Sequence, residues 1–403
     1  MHSMSSTLKV YTLSLLSFLV GTSEYIIAGI LDKIAEAIGV SVVTAGQLIT
    51  GFSLAYAFGT PILMALTVRM ERRKLLLLAL GGFVVGNALA FALQGYELLM
   101  LSRIAMGVSA GAVVVSALTI AAKVARSGKE GSALASVLMG FTASLIFGVP
   151  IGRVVASAYD WTAVFGGIAA IGLLAIAIVA LVIPRVDGEA PVPLRDQLAL
   201  LKQPKMTIAL AVTFFWIAGY SVFYSYISPL LLQVSGMSDG TLSMTLFALG
   251  LASLVGSLSG GFATDRWGMY RTLYRGLAAT GIALVLVAVT LQSPALLAPM
   301  LMLWSVAVWS LGPPQQLHLI ALAPESSGMM LSLNNSTVQL AMAAGAGIGG
   351  AFVERVSLPS VVWAGAASTA LAIVAVFLVR KLAESTRTGA RTGAKPVRQS
   401  GSA

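Results

Sequence analysis

The chain of 403 residues has no cysteine and only two histidines. It therefore holds no disulfide framework, thiolate nucleophile or iron–sulfur ligand set, and no acidic cluster has metal-ligand spacing. Charged residues are scarce, at 10%, where soluble domains carry roughly a quarter. No Gly-x-x-x-x-Gly-Lys-Ser/Thr segment is present, which removes a phosphate-cradling nucleotide loop. No nucleophile, base and orienting group fall together, so a membrane enzyme is disfavoured. The net charge of +10 does not point to nucleic acid, because the basic residues gather at the ends of apolar stretches.

Apolar residues, by contrast, fill 58% of the chain, with a mean hydropathy of +0.92. They form stretches long enough to cross a bilayer, which takes about 20 residues in a helix. Twelve spans are expected, at 10–31, 43–68, 75–94, 97–121, 132–156, 161–183, 206–232, 241–263, 272–291, 295–317, 327–350 and 359–380. The stretches are continuous rather than alternating, so the reading is an all-α membrane protein and not a barrel. The first stretch is too long for a cleavable signal peptide and contains an acid, Glu24.

Two six-helix bundles are expected, over 1–183 and 206–380, joined by a cytoplasmic linker at 184–205 and followed by a basic, disordered tail at 381–403. With the N-terminus inside, 21 of the 25 Lys and Arg lie on the cytoplasmic face, as the positive-inside tendency requires. Lys33, Arg153 and Arg355 fall outside, and Arg103 lies within a span. A shift of 197 residues carries Arg69 onto Arg266, Lys74 onto Arg271, Gly148 onto Gly345 and Gly152 onto Gly349. Such pseudo-symmetric halves are the build of a transporter that rocks around a central site. A monomer suffices for it.

Two charges break the repeat. Glu24 maps onto Ser221 and Arg103 onto Met300. A carboxylate inside a bilayer is costly unless it is paired, wetted or protonated. Counting inward from the span ends at 1.5 Å per residue, both charges lie roughly 10 Å below the outer surface. They are expected to meet across a cavity, directly or through water, and to serve proton coupling. The competing reading is a static structural pair.

The second half supplies a candidate ligand wall. Trp216, Tyr220 and Tyr224 recur every four residues on one helix face. Trp304 and Trp309 lie in span 10, and Asn334, Asn335, Ser336, Thr337 and Gln339 in span 11. Tyr220, Tyr224, Trp304, Asn334 and Asn335 are the expected substrate contacts, although an aromatic stripe is more often packing. Asn87 and His318 are weaker candidates. Gly148, Pro150 and Gly152 break span 5 and mark a close-packed seam. Asp265 and Arg266, after span 8, suit a gate latch; the corresponding first-half segment has Val68 in place of the acid.

These segments resemble the major facilitator superfamily over about residues 8–385. Gly261 to Gly268 is similar to its Gly-x-x-x-Asp-Arg-x-Gly signature, and Arg103 to Gly107 to its Arg-x-x-x-Gly pattern. Gly148-Val149-Pro150-Ile151-Gly152 resembles the span-5 motif of the drug:proton antiporter group. Gly21-Thr22-Ser23-Glu24-Tyr25 and Ser332 to Ser336 look like bacterial arabinose, sugar and purine efflux permeases. The resemblance implies export driven by proton entry, with Glu24 and Arg103 as coupling residues and a proton gradient in place of any cofactor. It implies residence in a cell inner or plasma membrane. Purine bases or nucleosides are the expected solutes. The alternatives are multidrug or sugar efflux, an uncoupled facilitator, or a membrane ligand sensor.

Overall fold

The computed structural model describes residues 6–93, 95–126, 128–187 and 199–393. Twelve of its helices are long and apolar enough to cross a membrane. They are α1 (Ser6–Gly29), α2 (Val42–Leu66), α3 (Arg72–Ala92), α4 (Tyr96–Val124), α5 (Glu130–Ala158), α6 (Trp161–Val182), α7 (Pro204–Tyr224), α8 (Asp239–Trp267), α9 (Met269–Thr290), α10 (Pro294–Leu322), α11 (Pro324–Arg355) and α12 (Ser360–Leu382). Twelve crossings bring the two chain ends to one side, here called the termini face. The opposite side is the far face.

Two local departures from the sequence reading have physical causes. The seventh helix ends at Tyr224 rather than near 232. A break at Ser225–Tyr226 is followed by a short helix, Ile227–Pro229, and a π turn, Leu230–Val234. Proline at 229 cannot donate to the carbonyl four residues earlier, so the regular ladder fails there. The helix that begins at Ser360 runs on to Gly393, where disorder was expected from 381. Lys381 to Arg391 contains no proline and several good helix formers. Most of the linker, at 188–198, and the tail beyond 393 lie outside the described residues.

Helices α2 and α5 each contain a π turn, Ala55–Gly59 and Ser144–Gly148. Pro61 and Pro150 follow them. The carbonyls that those prolines leave unbonded belong to Ala57 and Ile146, inside the π turns, which take up the mismatch.

The halves meet chiefly along two equivalent pairs, α2 with α11 and α5 with α8, and also at α1, where the Ser228 hydroxyl donates to the Ala28 carbonyl at 2.7 Å. Contact is confined to the far-face portions of these helices. The Thr50 hydroxyl donates to the Ala343 carbonyl at 3.4 Å, and Phe147 packs on Phe247. A Cβ on Gly250 would overlap the backbone of Ile146, so glycine is what lets α8 lie against α5. Toward the termini face the same helices part, and Phe58, Leu66, Met139, Leu258 and Phe262 are exposed.

An ion network fastens the far face. Arg153, which the sequence places toward the outer face, is wholly buried. Its Nη1 donates to the Gly29 carbonyl at 2.6 Å and to Asp32 Oδ1 at 2.8 Å. Its Nη2 donates to Asp32 Oδ2 at 3.1 Å and to Asp239 Oδ1 at 2.5 Å. Lys33 reaches the other oxygen of Asp239 at 3.2 Å. Asp239 belongs to the second half and the other three charges to the first. Planar guanidinium geometry allows one side chain to serve both carboxylates.

Candidate functional site

Glu24 sits where α1 is enclosed on all sides, and only 4% of its surface is exposed. Oε1 accepts a hydrogen bond from Gln339 Nε2 of α11 at 3.2 Å. Oε2 has no partner among the described residues. The acid of the first half is thus held by an amide of the second.

Arg103 on α4 reaches the same level, as its sequence position indicated. Its Nη1 donates to the Ser23 carbonyl, the residue before Glu24, at 2.7 Å. Its guanidinium lies 4.2 Å from the centre of the Phe52 ring, a cation–π contact. Nε and Nη2 have no partner among the described residues. A direct Glu24–Arg103 ion pair is absent among the described residues, which corrects the simplest form of the expectation. The guanidinium is committed to backbone and ring, whereas the carboxylate turns toward the other half. Asn87 is fully buried beside them and accepts from Ser23 Oγ at 3.4 Å.

The aromatic residues form one pile. Tyr220 stacks on Tyr224 at 5.0 Å and on Trp304 at 5.6 Å, with interplanar angles of 14° and 7°. Trp309 meets Tyr220 edge-on, and Tyr25 of α1 meets Tyr224 edge-on. A cleft beside the pile is closed by Leu145 of the first half and Ser253 of the second. The Tyr220 hydroxyl and Trp304 Nε1 are buried without a partner among the described residues. Trp216 is likewise buried with an unpartnered Nε1.

The two asparagines diverge. Asn334 accepts from Thr213 of α7 at 2.7 Å, so it braces the second half internally. Asn335 is exposed and faces the Tyr56 hydroxyl of α2. Thr213 also receives Gln315 Nε2 at 2.9 Å. Gln315 faces His318 Nδ1 at 3.4 Å, and His318 Nε2 faces the Tyr270 hydroxyl at 3.4 Å. His318 is fully buried in this chain rather than placed at a free helix end.

The gating candidates fall in two places. Gly148 packs on Thr22 and Gly152 on Ile26, with Pro150 between them, so this motif seats α5 on α1. Asp265 and Arg266 are exposed at the termini end of α8. No hydrogen bond or ion pair engages their side chains among the described residues.

Two participants went unread in the sequence. Gln339 was one of seven polar residues in its span, and nothing local separates it from its neighbours. Arg153 had a faint signal, because the far face carries so few charges that each is a candidate for use.

A family model described as the Major Facilitator Superfamily matches residues 13–343. The chain belongs to the Major Facilitator Superfamily. The MFS-type transporter YbcL of Bacillus subtilis (strain 168) is 54% identical over 376 residues, covering 93% of this chain and 96% of YbcL. AraJ of Escherichia coli (strain K12) is 28% identical over 262 residues, 65% of this chain and 66% of AraJ. Among solved structures, a bacterial homologue of the human lysosomal transporter Spinster, inward-facing and unoccupied, superposes with a TM-score of 0.74. It covers 97% of this chain and 99% of that one at 18% identity, a likeness of fold. This Major Facilitator Superfamily member is a multi-pass membrane protein that transports a solute.

Proposed function

We propose that the transporter is a proton-coupled exporter of small, neutral or weakly cationic organic solutes, with Glu24 as its proton site. The observation that carries this reading is the placement of Glu24, an acid buried between the halves and held from the opposite half by Gln339. A carboxylate there must exchange its charge for a proton or a partner as its surroundings change. Arg103, committed to Ser23 and Phe52, keeps a positive charge beside it. One buried acid and one buried base leave little net charge, which disfavours strongly anionic solutes.

In the proposed cycle Glu24 takes a proton from the far face and releases solute there. The neutral form returns to the state described above, then gives its proton to the termini face and binds solute again. The excess of Lys and Arg supports a cytoplasmic termini face in a bacterial inner membrane. The Tyr224–Tyr220–Trp304 pile suits a planar heterocycle, and purine bases or nucleosides are the first choice. Rings stack and buried hydroxyl and indole groups offer hydrogen bonds. A single chain is sufficient as the transporting unit.

The test is uptake of radiolabelled hypoxanthine, adenine and inosine into everted vesicles, with and without an acid-inside gradient. Accumulation that needs the gradient, and that Glu24→Gln abolishes while equilibrium exchange survives, is the expected result. Gradient-driven accumulation by the Glu24→Gln variant would sink the assignment of the proton site. A lack of uptake for all three solutes, with folded protein in the vesicles, would discard purines.

A further inference from the structure

The contact between Glu24 and Gln339 leaves two atoms unused. Glu24 Oε2 and Gln339 Oε1 are both buried and neither has a partner among the described residues. Both are hydrogen-bond acceptors while Glu24 is ionised. Gln339 already donates its Nε2 to the other carboxylate oxygen at 3.2 Å. One proton on Glu24 Oε2 supplies the missing donor. A carboxylic acid and a primary amide are complementary in this way, since each then donates once and accepts once.

We infer that Gln339 is the residue through which the second half senses the proton on Glu24. In the neutral state Glu24 Oε2–H donates to Gln339 Oε1 while Gln339 Nε2–H donates to Glu24 Oε1. This two-bond pair ties α1 to α11. The proton enters from water at the far face and leaves to water at the termini face, and its loss leaves one bond and two unsatisfied oxygens. The inference rests on the reading of Glu24 as the proton site. It adds that Gln339, a positioning residue, converts a change of charge into a change of contact between halves.

The other ionisable groups around Glu24 do not compete for this role. Arg103 of α4, Tyr25 of α1, Tyr56 of α2 and Tyr220 of α7 all interact with it electrostatically. Tyr224 of α7 faces Tyr25. Tyrosine and arginine side chains ordinarily titrate far above physiological pH. Glu24 is the member of the cluster whose charge changes during transport.

The test uses the absence of cysteine. Exposed Ser132 in α5 and Phe262 in α8, on opposite sides of the termini-face opening, are replaced by cysteine and spin-labelled in the full chain. The distance distribution is followed against pH in reconstituted bilayers. The parental protein should gain the termini-open population as pH falls, by up to about tenfold per pH unit, the limit for one proton. Gln339→Met should flatten this response. Its infrared carboxylic-acid band, assigned by its loss in Glu24→Gln, should persist and move to the frequency of an acid lacking the amide partner.

A Gln339→Met variant that keeps the full pH response, while Glu24→Gln loses it, overturns the inference and leaves Glu24 as the proton site. A response that survives Glu24→Gln removes the proton-site reading itself. Gln339→Glu gives a second check, because two carboxyl groups sharing one proton restore a pH response with a displaced midpoint. A flat response in that variant, with the fold intact, also counts against the inference.

Discussion

Arg153 of α5 and Asp239 of α8 lie 2.5 Å apart across the two halves, and Arg153 is fully buried while half of the Asp239 side chain is exposed to solvent. The same guanidinium also holds Asp32 of its own half. Replacement of Asp239 by asparagine should therefore loosen the far face without stranding Arg153. Breaking a half-exposed pair is worth about 1 kcal/mol, or roughly a fivefold shift toward far-face opening. Solvent access to a single cysteine placed at Gln47 on the α2–α11 seam reports it.

Arg153→Met should behave differently. It removes every bond of a buried hub and leaves Asp32 facing Asp239. The carboxylates left behind are partly exposed, so a fall in thermal stability of about 1–3 kcal/mol is expected from the lost charged hydrogen bonds, measured by unfolding in detergent. An unchanged melting temperature would contradict the placement of Arg153 at the centre of the network.

Gly250 permits the closest approach of α8 to α5, against the backbone of Ile146. Gly250→Leu should wedge the halves apart on the far side. Transport should fall at least about tenfold, since a side chain inserted into a tight seam costs roughly 1–3 kcal/mol. Expression and melting temperature should change little, because the wedge acts between the halves rather than inside one.

Tyr220 is the middle of the aromatic pile and contributes a hydroxyl without a partner among the described residues. Tyr220→Phe keeps the stack and removes the hydroxyl, whereas Tyr220→Ala removes both. For a planar solute the alanine variant should weaken binding more than the phenylalanine variant, because stacking contributes roughly 0.5–1.5 kcal/mol beyond area. Equilibrium binding, followed by quenching of Trp304 fluorescence in a variant lacking the other tryptophans, separates the two effects.

Arg103→Lys should be a poor substitute despite the retained charge. An ammonium group cannot lie flat on the Phe52 ring and also reach the Ser23 carbonyl as the guanidinium does. A stability loss of about 1–3 kcal/mol, that of a charge-assisted hydrogen bond, should appear in thermal unfolding, together with reduced transport.

The architecture was legible because hydropathy and length alone mark a spanning helix. The 197-residue shift aligns loop charges and helix glycines that recur at corresponding places. Glu24 and Arg103 stood out through the cost of charge in hydrocarbon. Their partners did not, since Gln339 is 315 residues from Glu24 in sequence and amides are common in its span. The break after Tyr224 was hidden by an apolar run that continues through Leu232. The burial of Arg153 was not legible because its partners, Asp32 and Asp239, come from two different helix ends.

The far-face network also fixes what a departing solute would meet. When Asp239 separates from Arg153, the network divides, with Lys33, Arg153 and Asp32 on one lip of the opening and Asp239 on the other. Within the network the parting pair becomes a small capacitor, its first-half members net positive and its second-half member negative. Its attraction draws the lips back together once the passage empties. Dissolved salt weakens that restoring pull, so the surrounding ionic strength sets how long the door stays open.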